Sequence, residues 1–339
     1  VNRTSQPKRP TIYDLAELAG TSASAVSAVL NGNWKKRRIS AKLAEKITKL
    51  AEEQGYALNM QASALRRDRS RIIGMIVPKY DNRYFGSIVE QFEALARERG
   101  LFPIVTCTRR DPALELEAAR AMLSYQVDCL IATGATDPDR VMDLCSAAGV
   151  RTINLDLPGS RAPSVISDNY GGALELTRRV LANCEKEYGE KTPLLFVGGR
   201  GSDHNTVERV RGFRNAHAQA GIAVDERLML TCGYAPEKAE NAMNQLAERT
   251  SNLPRGMFVN STISLEGVMH WIRRSGHYAD GMPQLGCFDW DPFVAMLGDH
   301  IEMMRQDVPK MLEAVFSIID SGVTDPTVVQ IPPIVENIG

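Results

Sequence analysis

The sequence predicts an α/β chain in two parts: a small helical N-terminal head and a large body of two doubly wound, parallel-sheet lobes. Three observations predict this. Residues 11 to 32, TIYDLAELAGTSASAVSAVLNG, carry apolar residues at helical spacing interrupted by a glycine. From Ile72 onward, short β-rich apolar runs alternate with helical stretches. Charge divides at the same place: residues 1–71 hold 14 Lys+Arg against 6 Asp+Glu, a net of +8, and the remaining 268 hold 26 against 35, a net of −9. A basic head on an acidic body implies that only the head meets a polyanion. At 339 residues the chain also exceeds what one simple core accommodates.

In the head, Thr11 followed by Asp14 is a capping box that starts the first helix near Ile12. Leu15, Ala16 and Ala19 share one face, and Gly20 supplies the turn. Ser22 caps the second helix, whose inner face is Val26, Val29 and Leu30, leaving Ala23, Ser24, Ser27 and Ala28 outward. This is the plan of a helix-turn-helix, whose second helix enters the DNA major groove. Taken alone, the same segment also fits an ordinary αα-hairpin. After Asn31-Gly32, the residues Lys35, Lys36, Arg37 and Arg38 form a basic loop suited to lie along a phosphate backbone, or to be merely solvated. Trp34 either braces this loop against the third helix or touches the sugar-phosphate backbone, bracing being the commoner use. Ser40 caps the third helix, which buries Leu43, Ile47, Leu50 and Ala51 and ends at Gly55. Asn59 to Leu65 offers one or two helical turns before Arg66, Arg67, Arg69 and Arg71, too short to stand alone in water. These signals bound a head at 1–58, a hinge or linker at 59–70 and a body at 71–339.

In the body, IIGMIVP, FPIVTC, CLIAT and RTINLD are strands, separated by helices such as FGSIVEQFEALARERG and ALELEAARAMLSYQ. A second series runs SVISD, GGALELTRRVLANC, LLFVGG, VERVRGFRNAHAQAG, GMFVN, SLEGVMHWIRRSG and QLGCFD, with VVQIPPIV as the last strand. Two lobes are expected, one of about 71–161 with 292–322 and one of about 162–291 with 323–339. Ligand is expected in the cleft at the carboxyl ends of their strands. Asp81, Tyr84 and Phe85 follow the first strand, and Asp156 ends TINLD, so these four are candidates for a polar and aromatic wall. A strand-end Asp is also often only the N-cap of the next helix.

Composition, 44% hydrophobic and 24% charged, is that of a globular soluble protein, with no apolar run long enough for a membrane. VNRTSQPKRP has no apolar segment behind its charges, so no secretory signal is expected, and a cytoplasmic location is. Cys107, Cys129, Cys145, Cys184, Cys232 and Cys287 lack paired or metal-ligand spacing. No G-x-x-x-x-G-K-[ST], no G-x-G-x-x-G after the first strand and no H-E-x-x-H occurs, so no enzyme, cofactor or metal is expected. The alternative function, a sugar-binding module or transport receptor without DNA regulation, leaves the basic head without a use.

TIYDLAELAG, the S-x-x-x-V-S segment from Ser22 to Ser27, VLNG and the hinge ending in ASALRRDRS resemble the LacI/GalR family of bacterial transcription regulators, and the match runs through the rest of the chain. The resemblance implies a periplasmic-binding-protein-like core that closes around a small molecule. It implies a homodimeric repressor on a pseudo-palindromic, double-stranded DNA operator. It further implies hinge helices that pair in the minor groove, where a leucine from each subunit wedges into a base step. Leu65 occupies that position, Ala62 matches the small residue between hinge helices, and Asn59 lies in the same segment. Arg209, three before Gly212-Phe213, matches the R-x-x-G-F arginine that reaches into the ligand pocket, and Asp289 in CFDWD matches a strand-end aspartate. An arginine among carboxylates suits a polyhydroxylated ligand. Arg209 could instead pair with Glu208 or Asp203 on a helix surface.

The chain departs from the family where many members carry Asn-Asp and it has Ser261-Thr262. Ala23, Ser24 and Ala28 likewise replace larger polar groups, which removes bidentate base contacts and leaves serine hydroxyls, thymine methyls and DNA deformability. The DNA-contacting set is therefore Thr11, Ser22, Ala23, Ser24, Ser27, Ala28, Asn31, Lys35, Lys36, Arg37, Arg38, Asn59, Ala62 and Leu65. The effector-binding set is Asp81, Tyr84, Phe85, Asp156, Arg209, Ser261 and Asp289. NGNWKKRRIS, ALARERG, YQVDCLIAT and the serine-containing strand end before LEGVM resemble the fructose-repressor (catabolite repressor/activator) branch. That likeness implies a phosphorylated fructose as effector, with Arg83, Arg109, Arg110 and Arg200 as candidate phosphate holders or simply solvated charges. With no heptad tail after VVQIPPIV, a tetramer is not expected.

Overall fold

The computed structural model describes residues 10–56, 69–250, 252–298 and 300–336. The chain divides into two compact units, Val1–Ser70 and Arg71–Gly339.

The first unit contains α1 (Ile12–Ala19), α2 (Ala23–Leu30) and α3 (Ala41–Glu53). The capping box forms: the Asp14 backbone N–H donates to Thr11 Oγ1 at 3.3 Å, and the Thr11 N–H donates to Asp14 Oδ2 at 2.6 Å. Gly20 turns the chain at φ 68°, a left-handed conformation costly for any side chain with a Cβ. Leu15, Ala16, Ala19, Val26, Val29, Ala44, Ile47 and Ala51 form the core. On α3 the innermost stripe is Ala44–Ile47–Ala51, and the expected Leu43 and Leu50 flank it half-buried. Alanines at the crossing let the helices approach closely, which pushes the two leucines to the rim. Trp34 and Ile39 pack against this core from the basic loop, the bracing alternative for Trp34.

Among the described residues, the second unit has two six-stranded sheets. The first contains β1 (Ile72–Val77), β2 (Phe102–Cys107), β3 (Cys129–Thr133), β4 (Arg151–Leu155) and β5 (Ser164–Ser167). They stand in the order β13-β5-β4-β3-β1-β2, all parallel, where β13 is Val328–Ile331. The helices α4 (Arg83–Glu98), α5 (Pro112–Ser124) and α6 (Pro138–Ala147) connect these strands. Phe85, Ile88 and Phe92 of α4 cover one face of the sheet, while Leu116, Ala119 and Met122 of α5 cover the other.

The second lobe follows with α7 (Asn169–Tyr188), β6 (Leu195–Val197), β7 (Gly199–Arg200), α8 (His204–Gln219), β8 (Met229–Leu230) and β9 (Cys232–Gly233). It continues through α9 (Pro236–Arg249), β10 (Gly256–Val259), α10 (Thr262–Ser275), β11 (Gln284–Phe288) and β12 (Ile301–Arg305). Its sheet order is β14-β12-β11-β10-β6-β8, parallel except that β14 (Ile334–Glu336) runs antiparallel to β12. α7 and α8 pack one face, and α9 and α10 the other. Gly212 of α8 permits a close approach of α7, since a Cβ there would lie 2.5 Å from the Tyr170 carbonyl oxygen of α7.

Chain crossings between the lobes differ from the sequence expectation. β5 belongs to the first sheet, so the first crossing follows Ser167 instead of residue 161. β12 joins the second sheet, and only α11 (Val308–Ser321) returns to pack on the first, which places the crossing at Gln306–Asp307 instead of residue 292. VVQIPPIV is two strands in two lobes, β13 and β14. Pro332 and Pro333 between them have no N–H for a ladder, so one continuous strand cannot form there.

All six cysteines are free; burial pushes the thiol of Cys129 up to about 12 and that of Cys184 up to about 11. Among the described residues, no helix is long and apolar enough to cross a membrane, and no group of three or more His, Cys, Asp or Glu could hold a metal ion.

Candidate functional site

On the head, Ser24 is exposed while Ser27 and Ala28 are half-buried, and Ala23 packs partly against the core. Lys35, Lys36, Arg37 and Arg38 are exposed, and Lys35 Nζ stands 5.4 Å over the Trp34 ring. Five candidate contacts already have partners within the head, Ser24 bonding the Ser22 hydroxyl and Ser27 the Asn31 amide among them. Thr11 is in the capping box, Ser22 Oγ accepts from the Ala25 N–H at 3.2 Å, and Asn31 Nδ2 donates to the Ser27 carbonyl at 2.7 Å. Asn59, Ala62 and Leu65 lie outside the described residues.

In the body, the strand ends of both lobes meet at a cavity of about 60 Å³. Its first-lobe wall includes Tyr84, Phe85, Arg110, Asp156 and Leu157; its second-lobe wall includes Asn205, Arg209, Tyr234, Ser261 and Asp289. Asp156 directly follows β4 and Asp289 directly follows β11, and both sit at positive φ, 74° and 87°. A left-handed backbone is costly for a non-glycine residue and persists only where surroundings hold it. Here it turns each carboxylate off the end of its sheet into the cavity, and it marks both residues as more than helix caps.

Their partners come from their own lobe, from the opposite lobe and from the crossings. Tyr84 Oη and Asn205 Nδ2 both donate to Asp156 Oδ1 at 3.1 Å. Gln306, at the second crossing, donates to Asp289 Oδ1 at 2.5 Å. Arg209 is 3% exposed. Its Nε donates to Asn169 Oδ1 at 2.8 Å, its Nη1 to the Asn260 carbonyl at 2.6 Å, and its guanidinium stacks 3.7 Å from the Phe288 ring centroid. Asn169, which follows the first crossing, also bonds Asn205 at 3.0 Å. Gly134 keeps the Asp156 side open, because a Cβ there would meet Pro78 at 2.8 Å and Asp156 Oδ2 at 3.1 Å.

Burial pushes the carboxyl of Asp156 up, against the opposing pull of the Arg110 and Arg209 cations. Burial likewise pushes Asp289 up to about 6, again opposed by Arg209. Tyr84 is raised well above the ordinary phenol range, first by burial and then by the Asp156 charge. The site therefore gathers two buried carboxyl groups around a buried cation that favours their charged forms, with the Asn260 and Gln306 side-chain carbonyl oxygens as further buried acceptors lacking partners among the described residues. Such a set receives hydroxyl groups.

Of the sequence candidates, Tyr84, Phe85, Asp156, Arg209, Ser261 and Asp289 come together. Ser261 caps α10, its Oγ accepting the Ser264 N–H at 3.3 Å. Asp81 does not line this cavity; it is exposed, 3.7 Å from Lys79 Nζ, and borders a wider groove of about 1110 Å³ along α4 and α10. A loop aspartate one residue before the α4 cap points along that groove instead of into the strand-end cavity. Asn205, Asn260, Tyr234 and Gln306 were not evident in the sequence. Asparagines, a tyrosine and a glutamine at helix starts and loop ends carry no periodic signal. Of the four arginines considered for a phosphate, only Arg110 reaches the cavity. Arg83 pairs with Asp291 at 2.9 Å, Arg200 with Asp203 at 3.1 Å, and Arg109 is exposed.

Comparison with known proteins matches residues 11–59 to bacterial regulatory proteins of the lacI family and residues 73–298 to the periplasmic binding protein domain. The chain is 70% identical to the ribitol operon repressor of Klebsiella aerogenes over 193 residues, 57% of this chain and 72% of that protein. It is 30% identical to the fructose operon regulatory protein of Vibrio cholerae over 265 residues, 76% of this chain and 78% of that protein. A crystal structure of the Lac repressor dimer bound to operator and the anti-inducer ONPF shares the fold with TM-score 0.81 at 20% identity, over 97% of this chain and 98% of that one.

Proposed function

The chain belongs to the lacI family of bacterial regulatory proteins, DNA-binding transcriptional regulators controlled by a sugar-type effector, and we propose that its own effector is an unphosphorylated acyclic polyol of the ribitol class. The observation that carries this reading is the pair of buried strand-end carboxylates, Asp156 and Asp289, flanking Arg209 in one small cavity. Each carboxylate accepts from a neutral hydroxyl, whereas a phosphate dianion would meet two like charges beside the lining cations Lys79, Arg110 and Arg209. The 70% identity to a ribitol operon repressor points the same way, and the weaker likeness to fructose regulators is outweighed.

The protein acts as a homodimeric repressor in the cytoplasm, with two heads on a pseudo-palindromic operator, and it binds its effector without chemical turnover. The effector must favour one lobe arrangement over the other, and couplings of about 1–3 kcal/mol, 5- to 150-fold in operator affinity, are typical. Calorimetric titration of the full chain with ribitol and, separately, with fructose phosphates tests the assignment. Heat with ribitol alone is expected; heat only with fructose phosphates overturns it.

Binding is also expected to depend on pH. Ionised Asp289 is the hydroxyl acceptor and takes up its proton near pH 6. The ribitol Kd is thus flat above pH 7 and rises about tenfold for each unit below 6. Asp289→Asn should bind weakly with no such slope; an Asp289→Asn profile that still bends near pH 6 would assign the titration to another group.

For the DNA side, the family resemblance gives Leu65 the base-step wedge. Leu65→Ala is expected to weaken operator binding by about 2–3 kcal/mol, roughly a hundredfold, with ribitol affinity unchanged. Fluorescence anisotropy on a labelled operator reads this, and an unchanged Kd would remove the wedge.

A further inference from the structure

We propose that Arg110 and Tyr234 form a latch between the lobes that closes over the cavity and slows effector release. The inference rests on the cavity being the effector site.

Arg110 lies in the first lobe, between β2 and α5, and Tyr234 lies in the second, between β9 and α9. The Arg110 guanidinium stands 4.9 Å from the Tyr234 ring centroid and 5.7 Å from that of Phe85, so one cation sits between an aromatic ring of each lobe. Both ends of the latch are fixed. Arg109 and Arg110 adopt consecutive positive φ values, 55° and 57°, which side-chain-bearing residues rarely take without outside support. The support is visible: the Arg110 carbonyl accepts from Thr136 Oγ1 at 3.4 Å, and the Thr136 N–H and hydroxyl both donate to buried Glu115, each at 2.9 Å. On the other side, the Tyr234 hydroxyl bonds Thr206 Oγ1 at 3.1 Å and accepts from Asn260 Nδ2 at 3.2 Å.

The same cation acts on Asp156. After burial, Arg110 is the largest influence on that carboxyl and favours its charged form. Asp156 also receives Asn205 from across the cleft. Separating the lobes would break the ring stack and the Asp156–Asn205 bond together. A cation over a partly desolvated ring contributes enough to change a rate by about tenfold.

A double-mutant cycle tests the pair in the full-length chain. Arg110→Met and Tyr234→Leu are each expected to speed ribitol release about tenfold by stopped flow, and the double variant no more than the faster single, because either change removes the same contact. Tyr234→Phe keeps the ring and should retain most of the slow release. Multiplying effects in the double variant, or unchanged release in Arg110→Met, would overturn the latch. If the wild-type chain binds no ribitol, the effector assignment fails by itself, and the latch is read without ligand. Hydrogen exchange of peptides spanning Asp156 and Asn205 should then be about tenfold faster in both singles and no faster in the double. Equal exchange in all four proteins would overturn it.

Discussion

Replacing Arg209 with methionine is expected to abolish effector binding while leaving operator binding intact. The side chain is almost fully buried, and its two hydrogen bonds reach the side chain that follows the first lobe crossing, Asn169, and the end of β10 at Asn260. It is also the positive charge shared by Asp156 and Asp289. Removing one partner of a buried charge set typically costs about 3–5 kcal/mol, because the remaining charges stay buried and uncompensated. Without the cation both carboxyls move further up, toward their protonated forms, which weakens them as acceptors for the ligand hydroxyls. Calorimetry should detect no ribitol binding at concentrations more than a hundredfold above the wild-type Kd. Arg209→Lys is expected to fail as well, since an ammonium cannot reproduce the planar stack on Phe288 or the forked donation to Asn169 and Asn260. Wild-type affinity in either variant would place the effector elsewhere.

The second large effect is expected in the head. Ile47 is fully buried among small side chains of all three helices, Ala16, Ala19, Val26 and Ala51 among them. Ile→Ala in such a core typically costs about 2–5 kcal/mol, and a core of this size supplies only about 3–5 kcal/mol of net stability. Ile47→Ala should therefore unfold the head and remove operator binding. The body has its own four clusters of buried residues, so its thermal transition and its response to ribitol should be unchanged. Circular dichroism melting with and without ribitol, beside operator titration, separates the two. A variant with wild-type operator affinity would mean that the head draws its stability from more than this core.

The elements legible in the sequence are those that local chemistry decides. Thr11 and Asp14 needed only each other to start α1, and Gly20 only its missing Cβ to turn the chain. Most body strands announced themselves as apolar runs because a parallel sheet is covered on both faces. The strand-end rule then found Asp156, which directly follows its strand, and motif likeness found Arg209 and Asp289.

Other features depended on partners far away in the chain. β12, IEMMR, alternates too weakly to declare its lobe, and it belongs to the second only because β11 and β14 flank it. VVQIPPIV is apolar at both ends of its proline pair, and nothing local says that the two ends join different sheets. Asp81 and Asp156 are both aspartates after strands, yet only the second turns inward, at a positive φ maintained by its surroundings. Asn205, Tyr234, Asn260 and Gln306 entered the site by convergence of two lobes and a crossing. By itself, the amino-acid sequence determined the helix-turn-helix head and the alternating body, since caps and periodicity act over a few neighbours. Which lobe each late segment joins, and which polar groups surround the two buried carboxylates, were decided only by the tertiary structure. Those contacts span from tens to more than two hundred residues, and hydrogen-bond satisfaction in a shared cleft is a property of the assembled lobes.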